Sequence, residues 1–372
     1  MTVAQLMELL EQVAPLRLAE SWDNVGLILG DPAAPASKVM TCLTLSPDVA
    51  DEAISEKTDV VISHHPILFR SAKTIRADQS GGDIVWKLAR AGVAVISHHT
   101  AWDGASGGAN DYIANKLGLI DLEPISPAPG RECVKFIVFV ADDNLEAVRS
   151  AAFHAGAGQI GNYRECSFST PGTGTFYGLK GTQPTVGQVG IRESASEHRL
   201  EIVAFKHLQN QVLSAIKQAH SYEEPAIDVY PLAAVAIKSE TGVGRVGKLT
   251  AALTTRELAR LASVGLQSSA TQFGLPMPPF SEKPILKVAI ACGAGDDLID
   301  LAIRSGSDAL VTGELRFHSL LKARDAGLAT VMVGHYASER LSMDSLAELL
   351  NKKCPDLNVW ASHKESAPAM NL

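Results

Sequence analysis

Two histidine pairs follow matching apolar runs, Val60-Val61-Ile62-Ser63-His64-His65 and Ala94-Val95-Ile96-Ser97-His98-His99. Imidazole nitrogens bind zinc, iron and manganese, and carboxylates share such sites. Asp103 lies four residues after His99, and Glu339 lies four after His335, so that if a helix starts at His335 these last two share one face. Each histidine run is short, β-branched and bounded by polar residues, so it reads as a buried strand with its histidines at the C-terminal end. Open α/β sheets bind ligands at that rim. The chain turns there, at Pro66 after the first pair, so neighbouring imidazoles can swing into one cleft. An isolated pair reads more simply as one packed and one capping histidine; the repeat points to a metal site, one holding two ions.

His64, His65, Asp103, His335 and Glu339 are the first-choice ligands. The plainer readings are that Asp103 starts the turn at Gly104 and that His335 and Glu339 form a surface pair. His98 and His99 come second, as ligands or as groups that orient ligands. Glu314, in Thr312-Gly313-Glu314 at a strand end, is the expected general base, with His99 or His98 as a proton shuttle and His318 in support. Asp23 and Asn24 either line the cleft or cap a turn. No P-loop, nucleophile elbow or dinucleotide fingerprint appears, and Gly172-Thr173-Gly174-Thr175 reads as a hairpin turn.

The elements that carry these residues alternate between helix and strand periods. Up to residue 128 a helix near 3–13, opened by a Thr2/Gln5 capping box, leads through Ser21-Trp22-Asp23-Asn24-Val25-Gly26 to an apolar run. Strands at Val39–Leu45 and at both histidine runs follow, separated by helices. Glu123-Pro124-Ile125-Ser126-Pro127-Ala128-Pro129-Gly130 is a stiff linker. Beyond it the order β-α-β-β-α-β, closing near residue 232, is ferredoxin-like. After the glycine-rich 241–247 the α/β rhythm resumes, and the tail after Ser362 reads as frayed. The expectation is an α/β fold, a three-layer body with a mixed sheet, interrupted by an inserted ferredoxin-like α+β domain: 1–128 and 233–372 are its halves and 129–232 the insert.

With 372 residues, 46% hydrophobic and 20% charged, the chain has ample core. A net charge of −8 argues against nucleic acid or anionic membrane as the main partner. The first residues lack a basic n-region, and no apolar stretch approaches the roughly 20 residues of a span. Five scattered cysteines without a Cys-x-x-Cys fit reduced thiols, so a cytoplasmic location is expected.

Together these segments resemble the GTP cyclohydrolase 1 type 2 homologue family. The stretches that carry the resemblance are Glu20-Ser21-Trp22-Asp23-Asn24-Val25-Gly26-Leu27, Ser63-His64-His65-Pro66, His99-Thr100-Ala101-Trp102-Asp103, Thr312-Gly313-Glu314 and Gly334-His335-Tyr336-Ala337-Ser338-Glu339-Arg340. The resemblance implies a dinuclear centre of two divalent ions (Zn, Fe or Mn) on His64, His65, Asp103, His335 and Glu339. It also implies a toroidal homohexamer whose metal sites face an internal cavity. The family name implies hydrolytic ring-opening of GTP by a metal-activated water, with a small-molecule substrate, here a nucleotide, as partner. Arg70, Lys73, Arg76 and Arg340 are candidates to hold its phosphates. The insert is similar to a PII/CutA-like domain through Gly161-Asn162-Tyr163-Arg164-Glu165-Cys166-Ser167-Phe168 and His220-Ser221-Tyr222-Glu223-Glu224-Pro225-Ala226. There Tyr222, Glu223 and Glu224 bind a small ligand or form a subunit contact. The rival reading is a non-enzymatic metal-binding or regulatory ring in which the insert senses a small molecule or partner. The run Glu314-Leu315-Arg316-Phe317-His318 departs from family habit, which concerns the substrate side and not the metal ligands.

Overall fold

A computed structural model describes residues 1–70, 72–129, 132–161, 163–233, 239–278 and 283–369. The chain forms two compact units, Met1–Ala128 with Lys238–Leu372, and Pro129–Ile237.

The first unit holds two mixed sheets whose central strands are apolar on both faces. One sheet runs Gly26–Leu29, Ala94–Ser97, Val60–Ser63, Lys38–Cys42, Asn358–Ala361, with every neighbouring pair parallel except the first. The other runs Gln272–Gly274, Ala329–Met332, Ala309–Glu314, Ile285–Ala294, Arg245–Leu253, Ile120–Glu123, parallel only among Ala329–Met332, Ala309–Glu314 and Ile285–Ala294. Strands covered on both faces cannot alternate apolar with polar, which is why Val60–Ser63 and Ala94–Ser97 read as continuous buried runs.

The two sheets repeat one motif. In each, three neighbouring parallel strands are flanked on one side by an antiparallel edge strand, and an aspartate precedes the middle of the three; Asn358–Ala361 adds a fourth parallel strand to the first sheet, and antiparallel Arg245–Leu253 and Ile120–Glu123 follow on the other side of the second. The Asp59 carboxylate accepts from the Ser37 and Lys38 backbone N–H groups and the Ser37 hydroxyl; Asp308 accepts from the Leu286 and Lys287 N–H groups. Each aspartate thus satisfies the first amides of the strand beside it. The helix His335–Lys353 packs against strands of both sheets, and its Met343, Leu346 and Leu350 share a core with Val39, Val60, Ile96 and Trp102. Arg245 is almost fully buried, donating to both Asp111 oxygens and to the carbonyls of Ala105, Gly242 and Gly244. Removing one partner of such a pair leaves a bare charge and costs about 3–5 kcal/mol.

The second unit has strands Cys133–Ala141, Ser167–Tyr177, Arg192–Phe205 and Ile227–Leu232 and helices Leu145–His154 and Gln209–Ala219, in the order β-α-β-β-α-β. The fourth strand lies beside the first and the third beside the second, all antiparallel. Val148, Ala152, Val212 and Ile216 from the helices bury one face, against Phe136, Val138, Leu200 and Ile202.

Two expectations are corrected. Gly172–Thr175 is not a turn: these residues pair with Ser194–Glu197 inside the edge strand. A side chain at Gly174 would collide with the Glu197 carboxylate, so the glycine makes room for a charge across the ladder. Nor is the tail frayed from Ser362. Ser362 Oγ and the His363 and Lys364 amides donate to Glu52, and the Glu365 carboxylate accepts from the Leu43 and Thr44 amides and from Arg340. Strands at Ile120–Glu123, Arg245–Leu253 and Asn358–Ala361, and the helix Thr255–Gly265, lie where no element was expected.

Burial pushes the Asp59 carboxyl up, but the Lys38 and Ser37 donors outweigh it and hold the group below its usual range. Asp59→Asn should therefore destabilise by about 1 kcal/mol at neutral pH, measured by urea unfolding. The contribution is complete above the unfolded carboxylate value of about 4 and disappears as pH falls through the lower folded value. The two proteins should converge in acid; a difference independent of pH would contradict the role assigned to this carboxylate.

Candidate metal centre

The C-terminal strand ends of both sheets deliver the residues that could do chemistry. Val60–Ser63 runs into His64 and His65, and Ala94–Ser97 into His98. His99 opens the short helix His99–Gly104, which places Asp103 one turn on. In the other sheet Ala329–Met332 leads through Gly334 to His335, the first residue of the long helix, with Glu339 one turn further. Glu314 ends the neighbouring strand. Hydroxyls brace these ends: Ser97 Oγ donates to the His64 carbonyl, Ser63 Oγ to that of His65 and Ser338 Oγ to that of His335.

Four imidazoles meet there. Ring centroids are 5.2 Å apart for His64 and His65, 5.1 Å for His64 and His99, 5.5 Å for His65 and His99, and 5.5 Å for His65 and His335. Glu339 sits among them, its Oε2 3.1 Å from both His65 Nε2 and His335 Nε2 and its Oε1 3.9 Å from His64 Nε2. Asp103 Oδ1 is 3.6 Å from His64 Nε2. Two groups, His64/His65/His99 and His65/His335/Glu339, each bring their donor atoms within 4.8 Å of one another, and His65 belongs to both. Either group could hold a metal ion.

Within the cluster both ring nitrogens of His64 and Oδ1 of Asp103 are buried without a hydrogen-bond partner. Buried polar atoms are normally hydrogen-bonded, and leaving one bare costs about 1–3 kcal/mol. A cation between them removes that cost, and nitrogen and carboxylate oxygen donors suit a divalent transition ion. The donors fit.

The charges lean the same way. Burial drives His64 down to about 3, so its ring is neutral, the form that ligates metal. Burial together with the Glu339 charge raises the Asp103 carboxyl. Burial also opposes charge on Glu339, but the His335 and His65 rings outweigh it and hold that carboxyl well below its usual range. His335, bonded to Glu339, is pushed up to about 9. His99 is raised as well: burial lowers it, but its bond to Asp23 and the Asp103 charge prevail.

Several residues have sharper roles than the sequence conveyed. Asp23 is an orienting group, with Oδ1 2.8 Å from His99 Nδ1 and Oδ2 accepting from the Thr100 amide and hydroxyl. Asn24 donates to the Leu68 carbonyl at 2.7 Å. Thr44 Oγ1 lies 2.7 Å from His65 Nδ1. Gly293, at φ +61°, faces Glu339, and any side chain there would strike its Oε1. The only hint in the sequence was that Cys292-Gly293 ends an apolar strand. Glu314 Oε1 is 3.1 Å from His335 Nδ1, at the exposed edge of the cluster. His98 is buried outside both donor groups and lowered to about 4 by that burial, and His318 packs edge-on against Phe317. In the second unit the Glu223 carboxylate accepts from the Gln183 amide and Tyr222 bonds Glu197.

Asp23→Asn keeps the shape of the residue that steers His99 but removes its charge. Cobalt affinity, measured by competition with a chelator, should fall roughly 10–100-fold with the circular dichroism spectrum unchanged. Unaltered affinity would show that His99 is not held for a metal.

Comparison with known proteins gives a consistent family. The sequence profile of Duf34/NIF3 (NGG1p interacting factor 3) matches residues 1–368. A Bacillus subtilis protein named GTP cyclohydrolase 1 type 2 homolog is 37% identical over 368 residues, covering 98% of this chain and 97% of its own. A Mycobacterium tuberculosis protein of the same name is 36% identical over 350 residues, covering 94% and 91%. Among solved structures, a Bacillus cereus protein related to NIF3 superposes with a TM-score of 0.85 at 33% identity, over 100% of this chain and 99% of its own. A Staphylococcus aureus protein superposes with a TM-score of 0.80 at 26% identity, with the same coverage. With sequence and backbone agreeing almost end to end, the chain belongs to the Duf34/NIF3 family.

Proposed function

We propose that this protein is a divalent-metal-dependent hydrolase that holds two ions per chain. The observation that carries the proposal is the pair of donor groups sharing His65, with His64 and Asp103 presenting buried atoms that have no partner. One ion would be held by His64, His99 and Asp103, the other by His65, His335 and Glu339. Such ions supply Lewis acidity and acidify water at neutral pH. His99 belongs to the first donor group, which favours it as a ligand over the proton-shuttle role. Glu314 remains the base: it is exposed, and it bonds the far side of the His335 ring, within reach of a substrate at the cluster.

The relatives' name brings a nucleotide to this chain as substrate. The reaction it indicates adds water at the purine C8, opens the five-membered ring and, with a second water, releases formate. We read Pro129–Ile237 as a ferredoxin-like, PII/CutA-like insert, supported by its β-α-β-β-α-β order and antiparallel sheet. We read the assembly as a toroidal homohexamer around an internal cavity and its location as cytoplasmic. The scattered cysteines, without a Cys-x-x-Cys, support that location. Among the described residues no helix is long and apolar enough to cross a membrane.

The test is elemental analysis with formate release from GTP on the same samples of wild type, His64→Ala, Glu339→Ala and Glu314→Gln. Wild type should carry two ions and turn over; the two ligand variants should lose metal and activity together. Glu314→Gln, assayed at saturating metal, should lose about 100-fold or more in kcat. Metal without turnover would leave the site and favour the regulatory ring, with the insert as sensor. No metal in any loaded sample would overturn the proposal.

A further inference from the structure

Trp22 and Phe69 are 59% and 50% exposed. Their centroids are 5.8 Å apart at 65°, so they meet edge to face and do not stack on one another. Both also stand edge-on to the His99 imidazole, at 6.0 Å and 6.2 Å. The pair therefore borders the donor cluster directly. It is also held in place. Asp23, next to Trp22, is tied to His99 and Thr100, and Asn24 ties the same turn to the Leu68 carbonyl beside Phe69. Arg70 follows Phe69, and among the described residues neither it nor Lys73 has an ion-pair partner; both are exposed.

We infer that Trp22 and Phe69 form a stacking subsite for the planar heteroaromatic ring of an anionic substrate, with Arg70 offering its charge to a phosphate. The inference rests on the proposed hydrolytic reading of the adjoining cluster and names the substrate class that cluster takes. Aromatic faces stack bases without regard to their hydrogen-bonding edges, and a nearby guanidinium suits a phosphate. A ring seated there touches His99, whose far side faces His64 and His65. The subsite thus sets a ring against the metal-facing end of the cleft, and a non-aromatic phosphate would gain only the Arg70 contact.

The probes are guanosine 5′-monophosphate and ribose 5-phosphate, titrated calorimetrically into metal-loaded protein. Wild type should bind the nucleotide about tenfold or more tighter than the sugar phosphate. Trp22→Ala and Phe69→Ala should each erase most of that preference and leave ribose 5-phosphate affinity unchanged, Trp22→Phe should restore it, and Arg70→Ala should weaken both ligands. Equal affinities in wild type, or a preference that survives both alanine variants, would overturn the inference. So would a change in assembly size in Trp22→Ala with the preference intact, which would make the pair a subunit contact. Metal content measured on each sample separates the two claims: equal affinities in fully metal-loaded wild type condemn the subsite alone. A preference that persists in protein lacking turnover condemns the hydrolase reading alone.

Discussion

One buried carboxylate organises this protein. Glu339 is 3% exposed, yet it is held charged by the rings of His65 and His335, with His64 beyond and the raised carboxyl of Asp103 beside it. Burying charge and unpaired polar atoms together is unfavourable unless something joins them. His65 and His335 both bond Glu339, and neither answers His64 or Asp103 Oδ1. A set of donors arranged at that cost is poised for cations.

The two sheets exist, in this light, to bring distant strand ends to one place. His64 and His65 come from one sheet and Glu314 and His335 from the other, and their parent strands occupy equivalent places in a repeated three-strand motif anchored by Asp59 and Asp308. The helix that begins at His335 carries Glu339 into the cluster while Met343, Leu346 and Leu350 lock it into the core of the first sheet. Packing and chemistry are therefore coupled along a single helix. The tail from Ser362 to Glu365 adds a brace: Glu365 fixes the Thr44 amide, and the Thr44 hydroxyl meets His65.

Much of this was legible in the residues. Continuous apolar runs ending in His-His mark buried strands, and four-residue spacing puts Glu339 one turn after His335, so that the sequence already marked His64, His65, Asp103, His335 and Glu339 as candidates for one site. The family followed from motifs spread along the chain. What stayed hidden lacks local periodicity. Arg192–Phe205 is polar over its first eight residues, because its exposed arm has no core to face, so only Val203–Phe205 looked like strand. Gly172–Thr175 resembled a turn because glycines are equally needed where a ladder must accommodate Glu197. Arg245–Leu253 was masked by its opening glycines and exposed alternation. Asp23 looked like a turn former; its partner, His99, is 76 residues away and visible only in three dimensions.

The measurement that bears most directly on the central claim is anomalous diffraction from crystals loaded with manganese or zinc, at the metal's absorption edge. Two peaks per chain are predicted, one beside His64, His99 and Asp103 and one beside His65, His335 and Glu339. Loaded crystals with no peak in this cluster, and His64 still without a partner, would contradict the account.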